Sequence, residues 1–380
     1  MSTKLYNRAI ILSLFILITV FSCRPKSSGS DDTAVSDYNI EYAEGFEVTL
    51  YDNYTVVTVN NPWDTASAGL RTYILVNKDR EIPQELPQGT LIRTPLDKVV
   101  AYSTVHCSFL KELNELSRIS GVCEPEYIHI PFIRKAVEDG TIADLGQASN
   151  PDVERIILLE PEAVFTTPIQ GMSYGRIEKV GIPLIEGIDY MESSPLGRAE
   201  WIRFYSLFFE KQQLGDSLFR QIKTHYDEIK AQTAEISERP SVFTEKKYGN
   251  VWYLPGGESY MATLLKDAGA DYIWKNDPSA GSLSLSFETV LDKAENADTW
   301  LIKYNSPSDL TYRALEQEYK PYSYFGAFKN RKIRACNTDR VPYHEEAPVR
   351  PDRILKELAA IFHPELFPGY QTGYYQPLAE

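Results

Sequence analysis

Two glutamates share an unusual position. Glu154 lies in NPDVERIILL (150–159) and Glu288 in SFETVL (286–291). Each falls in the first turn of a stretch that reads as a short helix, where the helix dipole favours a carboxylate by about 0.3–1 kcal/mol. That alone accounts for them as good helix starts. A catalytic carboxylate pair of the glycosidase kind needs a separation of about 5–9.5 Å, which residues at the outer tips of two separate units do not reach. A second set of side chains suits binding. His106, Gln170, Tyr174, Tyr253, Tyr260 and Arg340 each follow a predicted strand or start a predicted helix, on the side where a cleft is expected. Rigid aromatics supply contact area to a large planar or macrocyclic ligand at little entropic cost. The run VPYHEE (341–346) places His344 beside two carboxylates without regular ligand spacing, and neither CxxC nor HExxH occurs, so a structural zinc site has no support. The run reads as a loop lining the cleft. Haem iron needs an axial Tyr or His, which Tyr174 or this loop could supply.

Composition narrows the class. The chain has 380 residues and a formal charge of −14. Such an acidic protein is unsuited to phosphate-backbone binding, and no nucleic acid is expected as a partner. Lys4 and Arg8 precede an apolar run from Ala9 to Phe21. The run falls short of the ~20 residues of a membrane span and reads as a signal peptide over 1–22. Val20-Phe21-Ser22-Cys23 resembles a bacterial lipobox, in which Cys23 is acylated and becomes the new N-terminus. Residues 23–39 then form a flexible tether. Export leaves Cys107, Cys123 and Cys336 in an oxidising compartment. Cys107 and Cys123 both follow short predicted strands of one unit, so a disulfide between them is one expectation; three reduced thiols is the other.

The elements that must position these residues follow from periodicity. Residues 40–94 alternate apolar and polar, with Asp52-Asn53 as a hairpin turn, and predict a small antiparallel sheet. From residue 95 short apolar strands alternate with helices: strands at 99–102, 119–122, 163–166 and 183–185, helices at 103–118, 131–138, 151–159 and 169–180. Residues 195–238 carry only helical spacing. Alternation resumes to a last amphipathic helix at 351–362. The fold class is therefore α/β: two Rossmann-like lobes (95–194 and 239–370), with mostly parallel sheets, joined by long helical structure at 195–238, plus the strand-rich extension at 40–94. Open sheets of this kind bind ligands at the carboxyl ends of their strands.

The order of motifs resembles the substrate-binding proteins of ABC importers for cobalamin, ferric siderophores and haem, whose two lobes are bridged by one long helix. The residues that carry the resemblance are Gly146, Asp152-Val-Glu-Arg-Ile156, Leu159-Glu-Pro-Glu-Ala-Val164, Val180-Gly-Ile-Pro183, Tyr253-Leu-Pro-Gly-Gly-Glu-Ser-Tyr260, Ser286-Phe-Glu-Thr-Val-Leu291 and His363-Pro-Glu-Leu-Phe367. Asp152 and Glu162 replace the usual asparagine and aspartate, and residues 40–94 lie outside the family core. The resemblance implies a binding protein and not an enzyme. It implies that Glu154 and Glu288 pair with arginines of an ABC permease, which works with its ATPase. It implies a monomer without a resident cofactor, anchored by lipid on the periplasmic side of a bacterial membrane, whose ligand carries cobalt or iron. A haem ligand, or a scavenging lipoprotein without a permease, are the alternatives. Nitrogenase-like oxidoreductases share a related lobe architecture but hold their metal cluster on cysteines at fixed positions. Three scattered cysteines behind an export signal argue against that reading.

Overall fold

The computed structural model describes residues 36–64 and 69–380. The signal peptide, Cys23 and most of the tether lie outside the described residues. The extension forms strands β1 (Phe46–Leu50), β2 (Thr55–Val59), β3 (Arg71–Asn77) and β4 (Thr90–Thr94). Together with the two-residue strand Ser36–Asp37 they make one sheet in chain order. The expected all-antiparallel arrangement is corrected at one edge. β3 and β4 run parallel, because residues 78–89 return the chain to the same end before β4 starts.

Lobe one contains β5 (Val99–Ala101), α1 (Thr104–Glu112), β6 (Ile119–Val122), α2 (Pro131–Glu138), β7 (Ala143–Asp144), α3 (Val153–Leu159), β8 (Ala163–Thr166) and β9 (Leu184–Glu186). Its sheet is wholly parallel, in the order β9-β8-β5-β6-β7. Every residue of β5, β6 and β8 is buried, as a sheet covered on both faces demands. Successive residues face opposite ways. Val99 and Ala101 join the core under α1, while Val100 and Tyr102 join a smaller core under α3.

That alternation corrects the proposed disulfide. Cys107 packs from α1 into the first core and Cys123, just past β6, packs into the second, on the other face of the sheet. Both are buried free thiols, as is Cys336. The helix expected at 169–180 is also corrected: only a 3-10 turn at Gly175–Lys179 forms. Gly171 and Gly175 adopt φ of +73° and +68°, which a right-handed helix does not accommodate.

The link between lobes is α4 (Pro195–Leu207) followed by the 23-residue α5 (Gln212–Ala234). Both helices straddle the two cores. Leu196 and Ala199 of α4 pack into lobe two, and Trp201 to Leu207 into lobe one. Phe219 of α5 belongs to lobe one, and Ile222, Tyr226 and Ile229 to lobe two. Lobe two comprises β10 (Ser241–Thr244), β11 (Val251–Pro255), α6 (Tyr260–Asp267), β12 (Asp271–Tyr272), β13 (Ser282–Leu285), α7 (Phe287–Ala294), β14 (Thr299–Tyr304), α8 (Tyr312–Glu318), β15 (Ile333–Asn337), α9 (Tyr343–Glu346), α10 (Pro351–Phe362) and β16 (Gln376–Pro377). Its main sheet, β12-β10-β14-β15-β16, is parallel except for β16. β11 and β13 belong to a separate antiparallel ribbon.

All of α4 except Arg198 is buried, including Glu200 and Arg203. The extension makes that possible by covering the helix. Phe46 meets Trp201 and Phe204 edge-on, with ring centroids 4.8 and 5.4 Å apart. The Glu200 carboxylate accepts backbone N–H groups of Glu41, Tyr42 and Ala43 at 2.7–2.9 Å and pairs with Arg203 at 2.6 Å. Glu192 accepts from Glu44, Gly45 and the Trp201 indole. Two glycines permit the approach. A Cβ on Gly197 would lie 2.9 Å from the Tyr42 carbonyl oxygen, and one on Gly45 would lie 2.6 Å from the Trp201 ring.

Breaking a buried ion pair leaves the partner charge uncompensated. Glu200→Ala should therefore lower unfolding free energy in urea by about 3–5 kcal/mol, with new proteolytic cleavage at residues 36–45. Loss of under 1 kcal/mol would mean that the other carboxylates on Arg203, Asp216 and Glu41, carry the pairing. For the cysteines, a thiol reagent without reductant should label Cys107, Cys123 and Cys336 in urea and leave them unlabelled in buffer.

Candidate functional site

The first residue past each of three parallel strands opens onto one space. Tyr102 follows β5, Cys123 follows β6 and Thr167 follows β8. With Ser103, Thr104, Glu124, Tyr127 and the 169–174 loop they line a cavity of about 460 Å³. It lies at the carboxyl ends of the strands, where open α/β sheets bind ligands. Ser103 serves two purposes, since its hydroxyl also accepts the Val105 N–H at 3.1 Å and starts α1 beside the cavity. The Tyr102 hydroxyl is buried and has no hydrogen-bond partner among the described residues, while the buried Tyr174 hydroxyl lies beside Thr166 and the Glu186 carboxylate. Burial pushes both phenols up, so both stay protonated at neutral pH. Behind Tyr174 lie Thr166 and Glu186, register partners on β8 and β9. Glu186 pairs with Arg71 of the extension at 3.2 Å.

Lobe two reaches one residue of this lining, Thr104. Glu345 of α9, almost wholly buried, accepts the Thr104 hydroxyl at 2.7 Å and the His129 N–H at 2.5 Å. The His129 ring lies 3.0 Å from the Asp339 carbonyl oxygen, and Lys111 reaches Glu346 at 3.4 Å. Deeper in lobe two, burial opposes the charge of Lys303, but the neighbouring Glu245 carboxylate outweighs it and the ammonium is held.

Of the six residues expected in the cleft, Tyr174 lines this cavity. Gln170 is exposed on the rim loop and does not line it. His106 is 1% exposed, on the α1 face turned into the core, with its ring near Phe165 and Tyr205 and its Nε2 3.4 Å from the Thr167 hydroxyl. Tyr253 is half-exposed on the antiparallel ribbon of lobe two, opposite Ser284. Tyr260 lies 4.2 Å under the Arg198 guanidinium and donates to the Ala347 carbonyl, so it is committed to packing between α4 and lobe two. Arg340 is held by Asp309 at 3.0 Å and by the Pro307 carbonyl at 2.9 Å. The VPYHEE segment is not a loop. Residues 343–346 form α9, and its buried members are Tyr343 and Glu345. His344 is pulled down by burial and by Lys303. No group of three His, Cys, Asp or Glu that could hold a metal occurs among the described residues. Tyr102, Cys123 and Thr167 share one sequence signal that would have found them, namely position one past a parallel strand.

Glu154 and Glu288 occupy matching places. Asp152 caps α3 by accepting the Arg155 N–H at 3.0 Å, and Ser286 caps α7 by accepting the Thr289 N–H at 3.2 Å. Both glutamates are exposed. Glu154 forms an ion pair with Arg176 at 3.0 Å, while its own backbone N–H and the Ser286 hydroxyl hold Glu288 below the usual carboxylate range. Ile157 and Leu158, one turn on from Glu154, are also exposed.

Comparison with known proteins agrees with this geometry. Residues 132–337 match the periplasmic binding protein family, and the chain belongs to it. An uncharacterized lipoprotein of Methanocaldococcus jannaschii is 27% identical over 370 residues, covering 90% of this chain and 86% of that one. The ferric-anguibactin-binding protein FatB of Vibrio anguillarum is 29% identical over 157 residues, 40% of this chain and 47% of FatB. Two solved structures share the fold. A periplasmic heme binding protein from Pseudomonas aeruginosa has a TM-score of 0.57 at 14% identity, covering 75% of this chain and 99% of that one. An ABC-type Fe3+-hydroxamate transport protein from Saccharomonospora viridis has 0.55 at 17%, covering 71% and 94%.

The buried imidazole predicts a pH signature. Burial pulls His106 down to about 3, against about 6.5 when unfolded. Its contribution to stability is full above pH 6.5 and is lost as pH falls towards 3. Asp189, pushed up to about 6 by burial, acts with the opposite sign: its contribution is present below its unfolded value and is lost as pH rises through 6. Between pH 6.5 and 4.5 the His106 part amounts to about 2–3 kcal/mol. Urea titrations at the two pH values should show His106→Phe losing correspondingly less stability than the native chain. Equal losses would mean that the imidazole protonates in place.

Proposed function

We propose that the chain is the substrate-binding component of an ABC importer. It captures a metal chelate, cobalamin or a ferric siderophore, between its lobes and delivers it to a membrane permease and its ATPase. The observation that carries the reading is the cavity at the carboxyl ends of β5, β6 and β8, whose Thr104 is bonded by Glu345 of lobe two, in a member of this family. FatB, named for binding a ferric chelate, supports that ligand class. The cavity needs little assembly. Glu345 already bridges the lobes, and α4 and α5 are shared by both cores.

Glu154 and Glu288 are the docking points for the permease. Two carboxylates on separate lobes fix orientation, because arginine reads a carboxylate in a planar, bidentate way. The exposed Glu154–Arg176 pair is weak enough for a partner arginine to displace. Acylation at Cys23 keeps the protein on the periplasmic face of the membrane, where encounter with the permease is confined to two dimensions.

Thermal unfolding in the presence of cyanocobalamin, ferric hydroxamate, ferric catecholate or haem tests capture. A ligand at 100 times its Kd adds about 2.7 kcal/mol and raises Tm by a few degrees. No response to any of the four would end the proposal. Glu154→Ala with Glu288→Ala should abolish co-purification of the permease while leaving ligand affinity within twofold. Undiminished co-purification would remove the docking role.

A further inference from the structure

The charges around the cavity say which chelates it accepts. Its lining includes hydroxyls from Ser103, Thr104, Ser149, Thr167 and Ser173, with apolar area from Ile169 and Met172. No Lys, Arg or His lines it, and its one ionisable carboxyl is Glu124. Several cations on the surrounding elements already have carboxylate partners, namely Arg71 with Glu186, Lys111 with Glu346, Lys303 with Glu245 and Arg340 with Asp309, and Arg155 of α3 donates to the Asp144 carbonyl. A multiply charged anion entering this space would give up hydration without meeting a positive charge in the lining, and it would approach Glu124.

The unpartnered groups point the same way. Tyr102 is 5% exposed and its hydroxyl meets no acceptor among the described residues; the Tyr174 hydroxyl, also in the lining, is buried beside the Glu186 carboxylate, which already pairs with Arg71. Buried donors of this kind cost stability unless a ligand satisfies them. Both phenols are kept protonated by burial, so they offer O–H donors to amide or hydroxamate oxygens and carry no charge of their own.

We propose that the cavity selects metal chelates that are neutral or cationic overall and discriminates against strongly anionic ones, with the Tyr102 and Tyr174 hydroxyls donating to acceptor oxygens of the ligand and Glu124 supplying the discrimination. The proposal rests on the metal-chelate reading above and names the ligand class within it.

Titration calorimetry of the full chain in detergent tests it with four probes: neutral cyanocobalamin, neutral ferrichrome, monocationic ferrioxamine B and trianionic ferric enterobactin. At least one of the first three should bind tenfold or more tighter than the trianion. Glu124→Gln should raise affinity for the trianion at least threefold and leave that for the neutral probes within twofold. Tyr102→Phe and Tyr174→Phe should each weaken the preferred probe five- to tenfold with Tm of the free protein unchanged or raised, which separates a ligand contact from a structural role. Binding of the trianion as tight as or tighter than the other three overturns the selectivity. Unchanged affinity in both phenylalanine variants overturns the phenol contacts. Silence with all four probes has a different meaning: it removes the metal-chelate reading itself, and this one with it.

Discussion

The burial of α4 constrains the rest of the molecule. PLGRAEWIRFYSL has no polar face, and it places Glu200 and Arg203 where water does not reach. A helix apolar on every side needs neighbours on every side. Lobe one covers it with Phe109, Phe165 and α1; lobe two with the core around Leu196; α5 runs back along it; the extension closes the last side with Phe46. Its two buried charges are satisfied by each other and by backbone N–H groups of residues 41–43. The strand-rich extension is thus a structural layer that the central helix requires.

Shared helices have a mechanical consequence. A hinge needs residues that can change backbone conformation without disturbing a core. The connection here offers none over the length of α4 or of α5 up to Ile229, because each helix is packed into both lobes. The Glu345 contacts add a second tie at the far end of the cleft. Two ties at separated points resist the opening expected of lobes joined by loose strands. Recognition then depends on a largely preformed surface, which limits the entropic cost of binding.

Much of this architecture was legible in the chain. Short apolar runs at regular intervals, capped helix starts at Asp152 and Ser286, and the breakerless stretch at 195–238 led to the lobes and their connection. At some residues local pattern and global packing differ. Residues 169–180 have helical spacing, yet Gly171 and Gly175 sit in left-handed conformations and the segment becomes the rim of the cavity. His106 follows a strand and starts a helix, as a cleft residue should, but its position on α1 turns it into the core. Arg340 follows β15 on the correct side and is then neutralised by Asp309, a residue far away in sequence. Cys107 and Cys123 follow adjacent strands but pack on opposite faces of one sheet.

The sequence by itself determined most of the strands and helices, the α/β class, and that Glu154 and Glu288 start matching helices. Those properties depend on residues within a few positions of one another, through period, caps and turn chemistry. Only the tertiary structure decided which residues share the cavity, which cations are free and what residues 40–94 are for. Each of those depends on side chains brought together from distant positions. A one-residue step along a strand, or a quarter turn of a helix, moves a group from the cavity into the core.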